Sequence, residues 1–203
     1  MFHGTTKLRA EFLLVNKGFS LVELLVTMGI MAIIMGALFL NYGAFTGRID
    51  LENLAYEIAI VLRQAQVYGV AVKETKIGTE EFPIYGVNVE FLGNPEVGTK
   101  IFDLFADVAP PGGDGQYNDP LQEHVETFTI ERASYISAIR GCTSSCVDLS
   151  RVAITFARPN LQAIFNTFPA GFFTHVEIEV RSARQDIPPR FVRVWNNGQI
   201  AVD

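Results

Sequence analysis

Among 203 residues, 16 lysines and arginines stand against 22 aspartates and glutamates, a net charge of −6 at pH 7. A balance this acidic disfavours general affinity for nucleic acid or anionic lipid unless a local basic patch overrides it, and the length suits one modest core beside an anchor, not two domains. There is no Gly-x-Ser-x-Gly elbow, His-Glu-x-x-His, phosphate-binding glycine loop or dinucleotide fingerprint, so the chain is read as no enzyme.

The chain opens with Lys7, Arg9 and Lys17 against Glu11, and reaches Lys17-Gly18-Phe19-Ser20-Leu21-Val22-Glu23. From position 24 to position 40 nothing is charged and only Thr27 is polar. A helix over residues 19–42 is about 36 Å long at ~1.5 Å per residue, enough to span a bilayer. The first charges after it are Arg48, Asp50 and Glu52, so the positive-inside rule predicts a cytoplasmic N-terminus and an extracytoplasmic body. A secretory signal differs: its apolar segment has about 7–15 residues with a small-residue cut site behind it, whereas here the glycine precedes a longer run. Glu23 is costly in such a span, by about 2.5–3.5 kcal/mol at the bilayer centre and less near its edge. A cut after Gly18 would give Phe19 a free α-amino group, a positive charge able to compensate the acid on the same chain or on a neighbour packed with an axial offset.

Lys17, Gly18, Phe19, Ser20, Leu21 and Glu23, followed by that run, resemble the N-terminal signature of type IV pilins and type II secretion pseudopilins. The resemblance implies that residues 1–18 are a leader removed by prepilin peptidase between Gly18 and Phe19. It further implies that the same enzyme N-methylates Phe19, and that Glu23 guides subunits into register. Partners would be the peptidase, other pilin or pseudopilin subunits and an inner-membrane assembly platform. The location would be the bacterial inner membrane, single-pass, and then a pilus or pseudopilus. Without the leader's three basic residues and one acid, the side chains of residues 19–203 sum to −8.

Beyond the span, Leu51, Leu54, Ala55, Ile58, Val61, Leu62, Ala65, Tyr68 and Val72 recur every three or four residues, with Glu52, Asn53, Glu57, Arg63, Gln64 and Gln66 on other faces. Residues 43–75 are thus an amphipathic continuation of the same helix. Gly43 and Gly47 each weaken it by about 1 kcal/mol relative to alanine, which predicts a bend or local melting near residues 41–47. Many type IV pilins carry a proline in this neighbourhood; this chain has none before Pro83.

Residues 76–203 read as a β-rich domain. Alternation marks strands at 85–91, 126–131, 152–156 and 176–180, each with one apolar face. A short strand at 162–166 pairs with 152–156, and 191–195 with 199–202 across Asn196-Asn197-Gly198, a strong hairpin signal. The fold class expected is α+β and pilin-like, one long N-terminal helix, transmembrane in its first half and amphipathic in its second, packed on an antiparallel β-sheet domain. The order of these parts resembles minor pilins and pseudopilins of the GspH/FimT type, in layout more than in motif. Alternatives are a major pilin, a DNA-uptake minor pilin, and a membrane-anchored binding module that does not assemble.

Cys142 and Cys146, the two cysteines, flank Thr143-Ser144-Ser145 in a Gly141-led loop; they form a disulfide in an oxidising compartment or remain two thiols. His124 and His175 lack ligand-like spacing, which argues against a transition-metal site. The longest irregular stretch, 106–120, offers Asp107, Asp114, Asn118 and Asp119 as oxygen ligands for calcium, though not at EF-hand spacing, and a solvated loop is the plainer reading. Arg181, Arg184, Arg190 and Arg193 form a basic cluster with Asp186 among them. In FimT-like pilins such residues capture DNA; without an interleaved aromatic platform they read instead as the exposed face of an edge hairpin, and nucleic-acid binding is not expected.

Overall fold

The computed structural model describes residues 18–71, 83–91, 98–108, 113–118, 120–131, 133–157 and 161–203, without the side chains of Leu40, Asn41, Tyr42, Ala44 and Ala157. The chain divides into two compact units, one ending at Tyr42 and the other Gly43–Asp203. Helix α1, Leu21–Val70, is 50 residues long. Its segment Leu21–Phe39 is long and apolar enough to cross a membrane, and none of it is buried against protein.

In the second unit ten strands follow: β1 Ile84–Glu90, β2 Ile101–Asp107, β3 His124–Thr129, β4 Ser134–Cys142, β5 Cys146–Leu149, β6 Arg151–Ala157, β7 Gln162–Phe168, β8 His175–Ser182, β9 Arg190–Trp195 and β10 Ile200–Val202. They form two five-stranded antiparallel sheets, ordered β3-β2-β1-β6-β7 and β10-β9-β8-β4-β5. The architecture is α+β and pilin-like, a long helix with an antiparallel β-sheet domain, as expected, and the domain is made of two sheets. Thr99 and Ile136 exchange backbone hydrogen bonds at 2.9 Å, tying the approach to β2 of the first sheet to β4 of the second.

One core joins the helix to both sheets. Leu51, Leu54, Ala55, Ile58, Leu62 and Ala65 are at most 1% exposed and pack among Tyr85, Val87, Ile136, Ile154, Ile178 and Val192. Polar contacts fix the helix axially: Gln66 Nε2 donates to the Gly198 carbonyl at 2.6 Å, Arg63 to that of Ile200 at 3.3 Å, and Tyr68 meets Tyr85 edge-on at 5.4 Å.

Several expectations need correction. The helix continues through residues 41–47, so the local melting expected there is not seen. Its glycines serve packing instead, since a Cβ on Gly47 would stand 2.6 Å from Ile187 Cδ1 and one on Gly43 2.6 Å from an Arg184 nitrogen. Three strands went unseen. The apolar run of β2 is buried on both faces, so it does not alternate, and it takes Ala106 and Asp107 out of the stretch read as irregular. Strand β4 loses its period at a register shift between Ile136 and Ala138, and β5 has only four residues. Cys142 and Cys146 therefore stand on strands, not in a loop. Strand β3 is exposed on both faces, not one. Arg181 and Arg193 lie on β8 and β9, which are flanked on both sides, so this is no edge hairpin.

Replacing Leu62 with alanine is expected to cost about 2–5 kcal/mol in denaturant unfolding of the second unit, measured on the full chain in detergent. Alanine at Ile60, two residues away and 62% exposed, should change stability by less than about 0.5 kcal/mol.

Candidate processing and assembly site

Gly18, Phe19 and Ser20 precede α1 without regular secondary structure. Ser20 caps the helix: its Oγ accepts the Glu23 N–H at 3.1 Å, and its carbonyl accepts the Leu24 N–H at 3.1 Å. Ser20-Leu21-Val22-Glu23 is thus a Ser-x-x-Glu capping sequence, a signal legible in the chain but passed over in favour of the acid alone. It places Glu23 in the first turn, where the helix dipole favours a negative charge. Phe19 is 76% exposed, and a Cβ on Gly18 would meet nothing within 4 Å. Among the described residues, no cation pairs with Glu23. Thr27, the polar side chain of the span, donates to the Leu24 carbonyl at 2.9 Å.

The outer half of α1 has a second feature that periodicity counting missed. Phe45, Ile49, Tyr56, Ile60, Val67 and Val70 are all more than two-fifths exposed. At about 100° per residue they fall within an arc of about 80°, opposite the stripe that packs on the sheets. Glu52 and Arg63 fall in the same arc. The core pattern on the other face had absorbed the apolar signal, so this one was taken for an ordinary polar face.

The remaining candidates are internally engaged. Cys142 and Cys146 face each other across the β4–β5 turn and are joined as a disulfide, S–S 2.02 Å. With Glu177 they form a candidate metal triad, yet bonded sulfurs are poor ligands and Glu177 accepts a 2.6 Å hydrogen bond from Arg193. In the 113–118 segment, the Asp107 carboxylate accepts the N–H groups of Asp114 at 2.9 Å and Gly115 at 2.7 Å. Burial raises its pKa most, those two bonds oppose the rise, and the charges of Glu123 and Asp114 add to it. Asp114 in turn accepts from the backbone of Gln116 and from Asn118 Nδ2 at 2.8 Å. Asp119 lies outside the described residues. Among the described residues, the Asp107 and Asp114 carboxylates thus accept N–H donors of the same loop.

Three of the four arginines are matched by acids: Arg181 with Glu179 at 2.5 Å, Arg184 with Asp186 at 3.1 Å, and Arg193 with Glu177 and Asp203. Glu179, 3% exposed in its side chain, also takes Arg140 at 2.5 Å. Burial pushes its pKa up, but the Arg181 hydrogen bond, the charges of Arg140 and Arg181, and a bond from Ser137 outweigh this and hold it below the ordinary glutamate range.

Residues 14–39 match the prokaryotic N-terminal methylation motif. The match takes in Gly18, Phe19, Glu23 and the whole Leu21–Phe39 segment, and it supports a type IV pilin-like, prepilin-like subunit. No curated protein and no solved structure matches the chain.

Because the folded-state pKa of Glu179 is depressed, its ion pairs stabilise the fold above the unfolded value, about 4.3, and that contribution is lost as pH falls through the lower folded value. Glu179→Gln is expected to cost about 1–3 kcal/mol at neutral pH, moderated by the exposure of both arginines. It should also flatten the acid limb of stability below about pH 4.3, as read by denaturant unfolding across pH.

Proposed function

We propose that this chain is a prepilin-like subunit stored in the inner membrane with its N-terminus cytoplasmic. It is cut between Gly18 and Phe19, methylated on Phe19 and assembled through α1 as a minor subunit of a type II secretion pseudopilus or type IV pilus. The observation that carries the reading is the coincidence of the methylation motif with a Ser20-capped apolar helix whose Leu21–Phe39 segment is not buried among the described residues. The open space around Gly18 supports it too, since no contact within the described chain requires a glycine there and the requirement falls on an outside enzyme. The minor class draws on layout: one long helix, then sheets ending in the Asn-Gly hairpin β9–β10.

The physical logic is an exchange of solvents. Lipid satisfies the Leu21–Phe39 side chains in storage, and neighbouring helices replace it on assembly. Glu23 then meets the Phe19 amine of an adjacent copy, because an unpaired charge in an apolar bundle is strongly disfavoured. The Phe45-to-Val70 stripe extends the same seam outside the membrane, where its burial against another helix is favourable by area.

Intact mass and N-terminal sequencing of the chain from cells containing prepilin peptidase should give a methylated Phe19 start; a retained Met1 would sink the reading. Glu23→Val is expected to leave cleavage and membrane insertion intact while abolishing assembly, scored as sheared filament or crosslinked oligomer. Ile60→Asp should reduce the assembled fraction about tenfold or more, equivalent to ~1.4 kcal/mol, with unchanged unfolding of the second unit.

A further inference from the structure

The turn from β8 to β9, residues 183–189, is seated on α1. The Arg184 guanidinium and the Ile187 side chain occupy the space that a Cβ would need at Gly43 and Gly47. Gly43 follows Phe39, the last residue of the membrane-length segment, by four residues, at most about 14 Å of chain whichever way it runs. The polar layer of a bilayer is about 5–8 Å deep on each side, so a membrane-anchored chain keeps this turn at or just above the headgroups.

An open groove of about 710 Å³ lies here, lined among others by Tyr135, Arg181, Ser182, Arg184 and Gln185. Its lining holds two guanidiniums and no carboxylate. Both arginine side chains are about half exposed, so a ligand can reach them. The acids nearest to them are shared. Asp186 is held below the usual carboxylate range first by its hydrogen bond from Arg184, with desolvation opposing, and then by the charges of Arg184 and Arg48. Glu179 answers to both Arg181 and Arg140, and Arg140 also meets Asp148, which stands outside the lining. Positive charge therefore prevails in the groove, on a chain whose net charge is negative. Donors are left over as well. The bond from Arg184 to Asp186 uses Nε and Nη2, which leaves Nη1, the nitrogen that lies at Gly43.

We propose that this groove holds the phosphate of an anionic phospholipid in the leaflet that faces the second unit. The inference rests on the reading of residues 19–42 as a membrane span. Phosphodiester oxygens accept from Arg184 Nη1 and from the Arg181 guanidinium, and the acid-free lining favours a lipid of net negative charge. Position selects lipid over a dissolved anion, because the four-residue tether keeps headgroups at high local concentration around the groove. The contact holds the second unit on the bilayer surface while the subunit is stored.

The test is amide NMR of the full chain in dodecyl maltoside micelles, titrated separately with dihexanoyl phosphatidylglycerol, dihexanoyl phosphatidylcholine and inorganic phosphate. A saturable shift at residues 182–187 is expected with phosphatidylglycerol, about fivefold or more tighter than with phosphatidylcholine. Arg184→Gln and, separately, Arg48→Gln should each weaken it about fivefold with unfolding of the second unit unchanged. Arg184→Lys, which keeps the charge, should bind more tightly than Arg184→Gln. The proposal is overturned by the absence of a saturable shift with phosphatidylglycerol, by equal binding of the two lipids, or by shifts that survive both glutamine substitutions. Equal saturation by inorganic phosphate overturns it too, by showing a site for dissolved anions. Fractionation of cells separates this failure from that of the anchor. A chain missing from the membrane fraction sinks both readings, whereas a membrane-bound chain that ignores phosphatidylglycerol sinks only the lipid site.

Discussion

An apolar helix surface that its own chain leaves bare constrains everything else in this protein. From Leu21 to Phe39 the side chains are left unburied by the described residues, and lipid or other helices would keep them from water. The helix backbone satisfies its own hydrogen bonds, and Thr27 turns its hydroxyl back onto the Leu24 carbonyl, so the segment presents hydrocarbon and one carboxylate. That carboxylate is the only side chain there that distinguishes one apolar environment from another. A membrane helix without it would be stable; with it, the helix is most stable where a positive charge is held nearby.

Beyond the membrane length the same helix changes partners. Leu51, Leu54, Ile58 and Leu62 become the spine on which two sheets meet, and Gln66 and Arg63 bind carbonyls at the β9–β10 end. The sheets differ in how they treat charge. In the second sheet Glu177 pairs with Arg193 on β9, and Glu179 with Arg140 on β4 and Arg181 on its own strand, so the burial of each acid is matched by charge. Beside the first sheet the contacts run to backbone: the Asp107 carboxylate accepts two N–H groups and Glu123 accepts the N–H of Asn118 at 2.9 Å. These bonds anchor the 113–118 segment.

Legibility in the sequence followed whether the physics was local. Gly18, Phe19 and Glu23 could be read because their chemistry lies within a few consecutive residues, and the β9–β10 hairpin because Asn197-Gly198 encodes its own turn. Strand β2 was hidden by burial on both sides, since alternation exists only where one face meets water, and β4 by the bulge that resets its period. The pairing of Glu179 with Arg140 was invisible because it joins residues 39 apart through a register no sequence pattern announces. The exposed stripe on the outer helix was visible in principle, but two apolar stripes on one helix leave a periodicity count with one answer where two are needed.

The Ser20 cap bears on what a cut after Gly18 does mechanically. Both hydrogen bonds that begin the helix come from Ser20, on the far side of that bond, so neither depends on an atom of residues 1–18. In the proposed processing the Ser20 cap stays with the helix, and the cut would add an α-amino group beside a first turn that already holds Glu23.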